Sequence, residues 1–293
     1  MSLLGCPLQW LLQYGAGLRP GRALQLPEGS QLLGTFVHAL LQDLVHGPRA
    51  LPLAGLSEAD AQAHVERAFD ARVAGEAAPL VQRGQELALD RARRLAGGAA
   101  AALVRHLHAG DWEVVGVETP LAGEFAGHPV EGYADLVLRR RKDGARAVLD
   151  LKLGRFTYRR KELEQGQGLQ LALYARMLGP QGGKLPPAGY LVLQDGELLA
   201  HSLHAFPTAV EAQGPSLEET LQIAGRTLAL WERALGGGHV PVAIEKSDWA
   251  ERIAEVVGEV PGRKDPGRYP PRCDFCQFSV LCEVSVGQSE VEP

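Results

Sequence analysis

Gly132-Tyr133-Ala134-Asp135-Leu136-Val137-Leu138-Arg139-Arg140-Arg141-Lys142-Asp143-Gly144-Ala145-Arg146-Ala147-Val148-Leu149-Asp150-Leu151-Lys152-Leu153-Gly154 is the stretch on which the fold turns. Asp-Gly between two alternating apolar runs is the strongest short-range signal for a two-residue hairpin. With Asp143 and Gly144 as the loop, Lys142 pairs with Ala145, Val137 falls opposite Asp150, and Asp135 falls opposite Lys152. Strand side chains alternate between faces, so these residues share one face, while Leu136, Leu138, Leu149, Leu151 and Leu153 line the other and bury against helices. Directly opposed Cβ atoms lie about 5 Å apart and diagonal ones about 7 to 8 Å, which makes Asp135, Asp150 and Lys152 one cluster.

Two carboxylates on adjacent strands suit a hard divalent cation such as Mg²⁺ or Mn²⁺, and a lysine beside them can orient an activated water. The same three residues equally suit a surface ion pair across two strands, so the hairpin alone leaves both readings open. The helix expected over Leu169 to Leu178 adds Gln170, Tyr174 and Met177 at i, i+4 and i+7, on one face and within the arc of Leu163, Leu173 and Leu178. A buried amide without a partner costs on the order of 1 to 3 kcal/mol, so Gln170 is expected to reach backbone or substrate near the carboxylates. Earlier in the chain, His38 flanks the apolar stripe of a helix capped by Ser30, one turn after Gly34, and can point into a cleft.

Working outward, the pattern predicts helices over Pro7 to Tyr14, from Ser30 through Leu44, over Ser57 to Val73, and over Val81 to Leu107. The last two, the second carrying Arg91, Arg93, Arg94 and Arg105, read as a solvated helical insert. From Trp112 the period changes to two, giving strands over Glu113 to Pro120, Val130 to Arg141 and Ala145 to Leu153. Further strands are expected over Tyr190 to Leu193 and Leu198 to Leu203, and a closing helix over Leu217 to Leu235. The layout is an N-terminal helical region over 1–110 with Cys6 and the His38 motif, an α/β core over 111–236, and a loop-rich tail over 237–293 bearing cysteines, integrated as one domain.

Composition bounds the function. The chain has 293 residues, and Gly 35 with Pro 19 makes about 18% of it, below the roughly 25% typical of low-complexity disorder. A net charge of −5 excludes a generic polyanion binder, so any nucleic-acid contact must be local. No apolar run approaches the roughly 18 residues of a membrane span. Leu3-Leu4-Gly5-Cys6 mimics a lipoprotein cleavage site but lacks a basic leader, and the chain begins so close to Cys6 that it reads as a piece of something longer. Four cysteines, three of them within ten residues at Cys273, Cys276 and Cys282, indicate a metal or cluster site rather than a disulfide scaffold, and a cytoplasmic location.

Taken together these residues resemble the PD-(D/E)XK nuclease superfamily, in the branch of the RecB-type and AddB-type nuclease domains of bacterial helicase–nucleases. Gly34-Thr35-Phe36-Val37-His38 is similar to the early histidine motif, Gly132-Tyr133-Ala134-Asp135 to G-x-x-D, Asp150-Leu151-Lys152-Leu153-Gly154 to D-x-K-x-G, and Gln170 with Tyr174 to Q-x-x-x-Y. Ala134 departs from the proline of the superfamily name. The resemblance implies a restriction-endonuclease-like core, a central mixed β-sheet flanked by helices. It implies catalytic Asp135, Asp150, Lys152, His38, Gln170 and Tyr174, with Mg²⁺ or Mn²⁺ held by Asp135, Asp150, the Leu151 carbonyl and His38. Glu118 on the preceding strand is a further candidate ligand. Cys6, Cys273, Cys276 and Cys282 resemble the arrangement that holds a structural [4Fe–4S] cluster; a four-cysteine zinc site is the alternative.

The implied activity is DNA hydrolysis, as an exonuclease on single-stranded or end-processed DNA within a helicase–nuclease or a repair and recombination system, partnered by a helicase domain or subunit. A non-catalytic DNA-holding subunit and an RNA nuclease are the alternatives; intact Asp135, Asp150 and Lys152 oppose the first. Ten basic residues against two acidic ones between Arg139 and Lys161, with Phe156 and Tyr158 interleaved, read as the phosphate-tracking surface.

Overall fold

The computed structural model describes residues 2–19, 29–47, 50–180, 183–240, 269, 273 and 276–282, without the side chains of Ser2, Val280 and Cys282. Its centre is a six-stranded sheet in sequential order: β1 (Trp112–Phe125), β2 (His128–Arg140), β3 (Arg146–Lys152), β4 (Ala188–Val192), β5 (Glu197–Ala200) and β6 (Val210–Glu211). Neighbours are antiparallel except β3–β4 and β5–β6. A parallel pair needs a crossover, and α6 (Phe156–Glu164) and α7 (Leu169–Leu178) supply it between β3 and β4. The sheet is therefore mixed and helix-flanked, as the sequence pattern implied.

Each face of the sheet has its own core. Leu136, Leu138, Leu149 and Leu151 bury against α3 (Gly29–Val45), α4 (Glu58–Glu76) and α5 (Glu86–Ala109) through Phe36, Leu40, Phe69 and Leu103. Ser57 caps α4 by accepting from the Asp60 amide at 3.1 Å. The expectation that the two arginine-bearing helices form a solvated insert is corrected here: they are half of this layer. Gly97 lets them close, because a Cβ there would meet the Glu66 side chain at 2.6 Å. Arg93 instead stays at the rim, paired with Glu66 at 2.6 Å and Asp70 at 2.9 Å. On the other face Val148 and Tyr190 pack against Leu171, Ala172 and Ala175 of α7.

A third cluster joins the chain ends. Leu4 of α1 (Ser2–Gly5) and Cys6, just before α2 (Pro7–Trp10), pack with Trp231 of α8 (Leu217–Gly236) and with Tyr269. Trp231 Nε1 donates to the Leu4 carbonyl at 3.3 Å. The helix expected over Pro7 to Tyr14 is α2 continued by a π turn, Leu11–Gly15.

Two hairpins differ from expectation. β1 and β2 run on to Phe125 and His128 because Ala126 and Gly127 both take positive φ, 50° and 81°, a tight turn that an alanine conceals in the sequence. The Asp143-Gly144 hairpin closes at Arg140 and Ala145, two residues earlier than the tight-turn arithmetic gives. Asp143 explains this: its carboxylate accepts from the Ala145 amide at 3.0 Å and from Arg140 Nη2 at 2.7 Å, and its φ is not positive as that turn demands. The pairs are Val137 with Val148 and Leu136 with Leu149. A shift of two preserves the faces, so the apolar set stays inward. α6 and the short β6 were not anticipated: α6 has almost no apolar stripe, and β6 is two residues long.

Leu103 is fully buried between the helices and the sheet. Leu103→Ala should cost about 2 to 5 kcal/mol, read as a lower urea midpoint at unchanged slope.

Candidate active site

The shift in register changes which residues meet. β2 and β3 pair as far as Leu136 and Leu149, and one further step sets Asp135 opposite Asp150 rather than opposite Lys152. There the ladder stops, and the Leu151 amide donates to Asp135 Oδ2 at 2.6 Å. On the other side, the β1–β2 pairs Val117–Leu136 and Thr119–Ala134 leave Glu118 level with Asp135, at φ 43°. Three carboxylates thus lie across three neighbouring strands.

Asp150 is 1% exposed. Its Oδ2 faces the Lys152 ammonium at 2.6 Å, off hydrogen-bonding angle, and its Oδ1 has no partner among the described residues. A buried carboxylate oxygen so left is costly unless something cationic completes it. Burial raises Asp150 to about 6, helped by the charge of Asp135 and opposed by Lys152. Burial likewise lifts Asp135 to about 6, against the Leu151 amide and Lys152. A negative pair kept close and dry is what a divalent cation would relieve, so these residues fit one; among the described residues no group of three or more His, Cys, Asp or Glu is already gathered as a metal cage.

His38 projects from α3 to the same point. Its Nδ1 lies 3.9 Å from Asp135 Oδ2, and burial lowers its pKa, opposed by the Asp150 charge and a hydrogen bond with the Leu151 backbone. Gly34, one turn earlier, faces Leu153: a Cβ there would sit 3.6 Å from Leu153 Cδ2, an ordinary packing contact. A neutral imidazole is the form that can ligate.

The partner sought for Gln170 is Lys152, whose Nζ donates to Gln170 Oε1 at 3.3 Å; Gln170 Nε2 in turn donates to the Tyr174 hydroxyl at 2.9 Å. Gly132 makes room for that ring, since a Cβ would come within 2.8 Å of Tyr174 Cε1. Ala134 is fully buried, so a small residue fits where the superfamily name has proline. Glu118 is exposed and held by Gln42 Nε2 at 2.6 Å.

The sequence missed the support beneath Lys152. Tyr190, fully buried, is the β4 neighbour of Asp150, with the Lys152 ammonium and the Arg159 guanidinium each 5.9 Å from its ring centroid. Arg159 also binds Glu162 at 2.5 Å, a charged pair that only the unforeseen α6 brings together.

The basic stretch from Arg139 to Lys161 is not one surface. Arg139, Arg140 and Arg141 pair with Glu113, Asp143 and Asp111, and Arg146 lies four residues from Asp150, about 13 Å along the strand. Only the segment from Arg155 onward adjoins the carboxylates. In the tail, Cys273 and Cys276 share one turn, with the Cys276 amide donating to the Cys273 carbonyl at 3.0 Å, while Cys6 is buried. The Cys282 side chain lies outside the described residues.

A mixed sheet that parts where the buried Asp150 meets the half-buried Asp135, with Lys152 on the strand of Asp150, suits a nuclease core. The chain belongs to the PD-(D/E)XK nuclease superfamily, whose family model it matches over residues 2–283. No curated protein matches it. No helix among the described residues is long and apolar enough to cross a membrane.

The raised carboxylates give a test. Their folded pKa of about 6 exceeds the usual carboxylate value, so the metal-free protein should lose stability as pH rises through 6. Added Mn²⁺ should restore it, raising Tm clearly at pH 8 and little at pH 5, where protons compete. Asp150→Asn should remove the Mn²⁺ response at both.

Proposed function

We propose that the chain is a divalent-metal-dependent deoxyribonuclease that hydrolyses phosphodiesters of single-stranded or end-processed DNA, working with a helicase domain or subunit in DNA repair or recombination. The single observation that carries the reading is the buried Asp150 carboxylate, with one oxygen unpartnered among the described residues, set against Asp135 and Lys152. Asp135, Asp150 and the Leu151 carbonyl would hold Mg²⁺ or Mn²⁺, with His38 completing the set. The ion would supply Lewis acidity at the scissile phosphate. Lys152, an ammonium paired with Asp150, orients the attacking water and offsets negative charge as it builds on the phosphate. Gln170 receives the Lys152 proton donor and passes its own to Tyr174, so the two fix where Lys152 points. Hydrolysis is in-line, with no covalent enzyme intermediate.

Cys6, Cys273, Cys276 and Cys282 would hold a [4Fe–4S] cluster that clips the two ends of the chain. The packing of Cys6 with Tyr269, and the shared turn of Cys273 and Cys276, support this use.

Asp150→Ala should abolish Mn²⁺-dependent cleavage of a labelled oligonucleotide. Lys152→Ala should lower kcat by about 10² to 10⁴ while the Mn²⁺-induced rise in Tm persists, since Lys152 is not a ligand. Cleavage retained in Asp150→Ala would refute the assignment. A wild-type protein that binds DNA and Mn²⁺ yet never cleaves would favour a DNA-holding subunit. Separately, anaerobically purified protein should be brown with about four irons per chain, and Cys276→Ala should bleach it and lower its Tm. One equivalent of zinc in colourless protein would refute the cluster alone.

A further inference from the structure

Beside the carboxylates lies a cleft of about 1010 Å³ that the catalytic reading does not use. Its walls are the first turns of α3, the 3₁₀ turn Ala78–Val81 with the start of α5, and the β3–α6 turn at Leu153, Gly154 and Arg155. The cleft begins at Leu153, one residue beyond Lys152 and about 3.4 Å along the chain.

The lining is selective. Among the described residues it includes Arg91, Arg155 and Arg159, four glutamines and apolar side chains, and no aspartate or glutamate, in a chain whose net charge is −5. Arg91 and Arg155 form no ion pair among the described residues, unlike most arginines around them. Arg159 is fixed by Glu162 and borders Gly154; a Cβ on Gly154 would stand 4.0 Å from its Nε and Nη2. The nearby Asp195 carboxylate accepts from the Phe156 amide at 3.1 Å, the first of α6. A positive, carboxylate-free trough opening beside a phosphodiesterase site suits a run of phosphates, and glutamine amides can meet base edges of any sequence.

Resting on the nuclease reading, we infer that this cleft holds the substrate strand next to the scissile phosphate, and that it takes one strand and not two. The volume of about 1010 Å³ accommodates a few nucleotides of one strand between α3, the start of α5 and the β3–α6 turn. Arg155 and Arg91 contact phosphates, and Arg159 closes the end nearest Lys152. The lining has no aromatic ring among the described residues, so binding should be salt-sensitive and tolerant of sequence.

The test is fluorescence anisotropy of the full chain, without divalent ions, using a labelled oligo(dT) and a duplex of equal length. Wild type should bind the single strand at least tenfold more tightly. The double variant Arg91→Gln/Arg155→Gln should weaken oligo(dT) binding at least tenfold and reduce the log–log salt slope by about 1.4, from about 0.7 per phosphate contact on a single strand. Ala88→Trp, which obstructs the cleft without altering charge, should weaken binding comparably. The Mn²⁺-induced rise in Tm should be intact in both, showing that the fold and carboxylate site are present. Unchanged affinity in both variants would overturn the cleft, as would equal or tighter binding of duplex. If wild type cleaves DNA while both variants bind oligo(dT) normally, the cleft fails and the nuclease reading stands. If wild type never cleaves while both variants lose binding, the nuclease reading fails and the strand site stands.

Discussion

The hydrogen bond from the Leu151 amide to the Asp135 carboxylate is the interaction on which the rest depends. Where β2 should have offered β3 a backbone carbonyl, it offers a side chain, and the ladder ends at Leu136 and Leu149. A buried amide must be paired, so the carboxylate at this step is a structural need before it is a chemical one. The bond also points Asp135 toward Asp150, and the strands open enough to admit His38 from α3 on one side and Lys152 on the other. The site is thus a controlled fault in the sheet, placed where the two packed layers meet.

Holding two carboxylates in that fault is unfavourable without a cation. Their raised pKa values are the sign of this, and the surroundings share the burden unequally. Lys152 answers one oxygen of Asp150 and is itself steadied by Gln170 and by the face of Tyr190. The other oxygen has no partner among the described residues. Such a site trades stability for function, and the two leucine-lined layers around it provide the stability.

The arginines show how charge is apportioned in an acidic chain. At the hairpin end they are consumed by Glu113, Asp143 and Asp111, and Arg140 also covers the Trp112 ring at 5.3 Å. Those pairs tie surface elements together and contribute little each. Past Lys152 the pattern changes, and Arg155 stands beside a cleft with no carboxylate in its wall. A linear count of basic residues merges these two groups, because strand β3 separates them only in space.

Alternation along 132–154 determined by itself which side chains face the leucine core and which face the carboxylate side, since a strand's period of two survives any even slip. The i, i+4 spacing of Gln170 and Tyr174 and the start of a helix at Ser57 were equally legible, whereas the cap expected at Ser30 lies inside α3, which begins at Gly29. The tertiary structure alone decided the register, because the Asp143 carboxylate chose Arg140 and the Ala145 amide over a tighter turn. It alone revealed α6, which has almost no apolar stripe and meets the sheet at Tyr190 of β4 through Arg159 and Glu162. It alone turned the arginine-bearing helices from an insert into a core layer, because Gly97 allows an approach that no local pattern reports. What distinguishes the two sets is range: periodicity and capping act within a few residues, whereas register, close approach and the meeting of Asp150 with Tyr190 and Lys152 depend on partners brought together only when the sheet is complete.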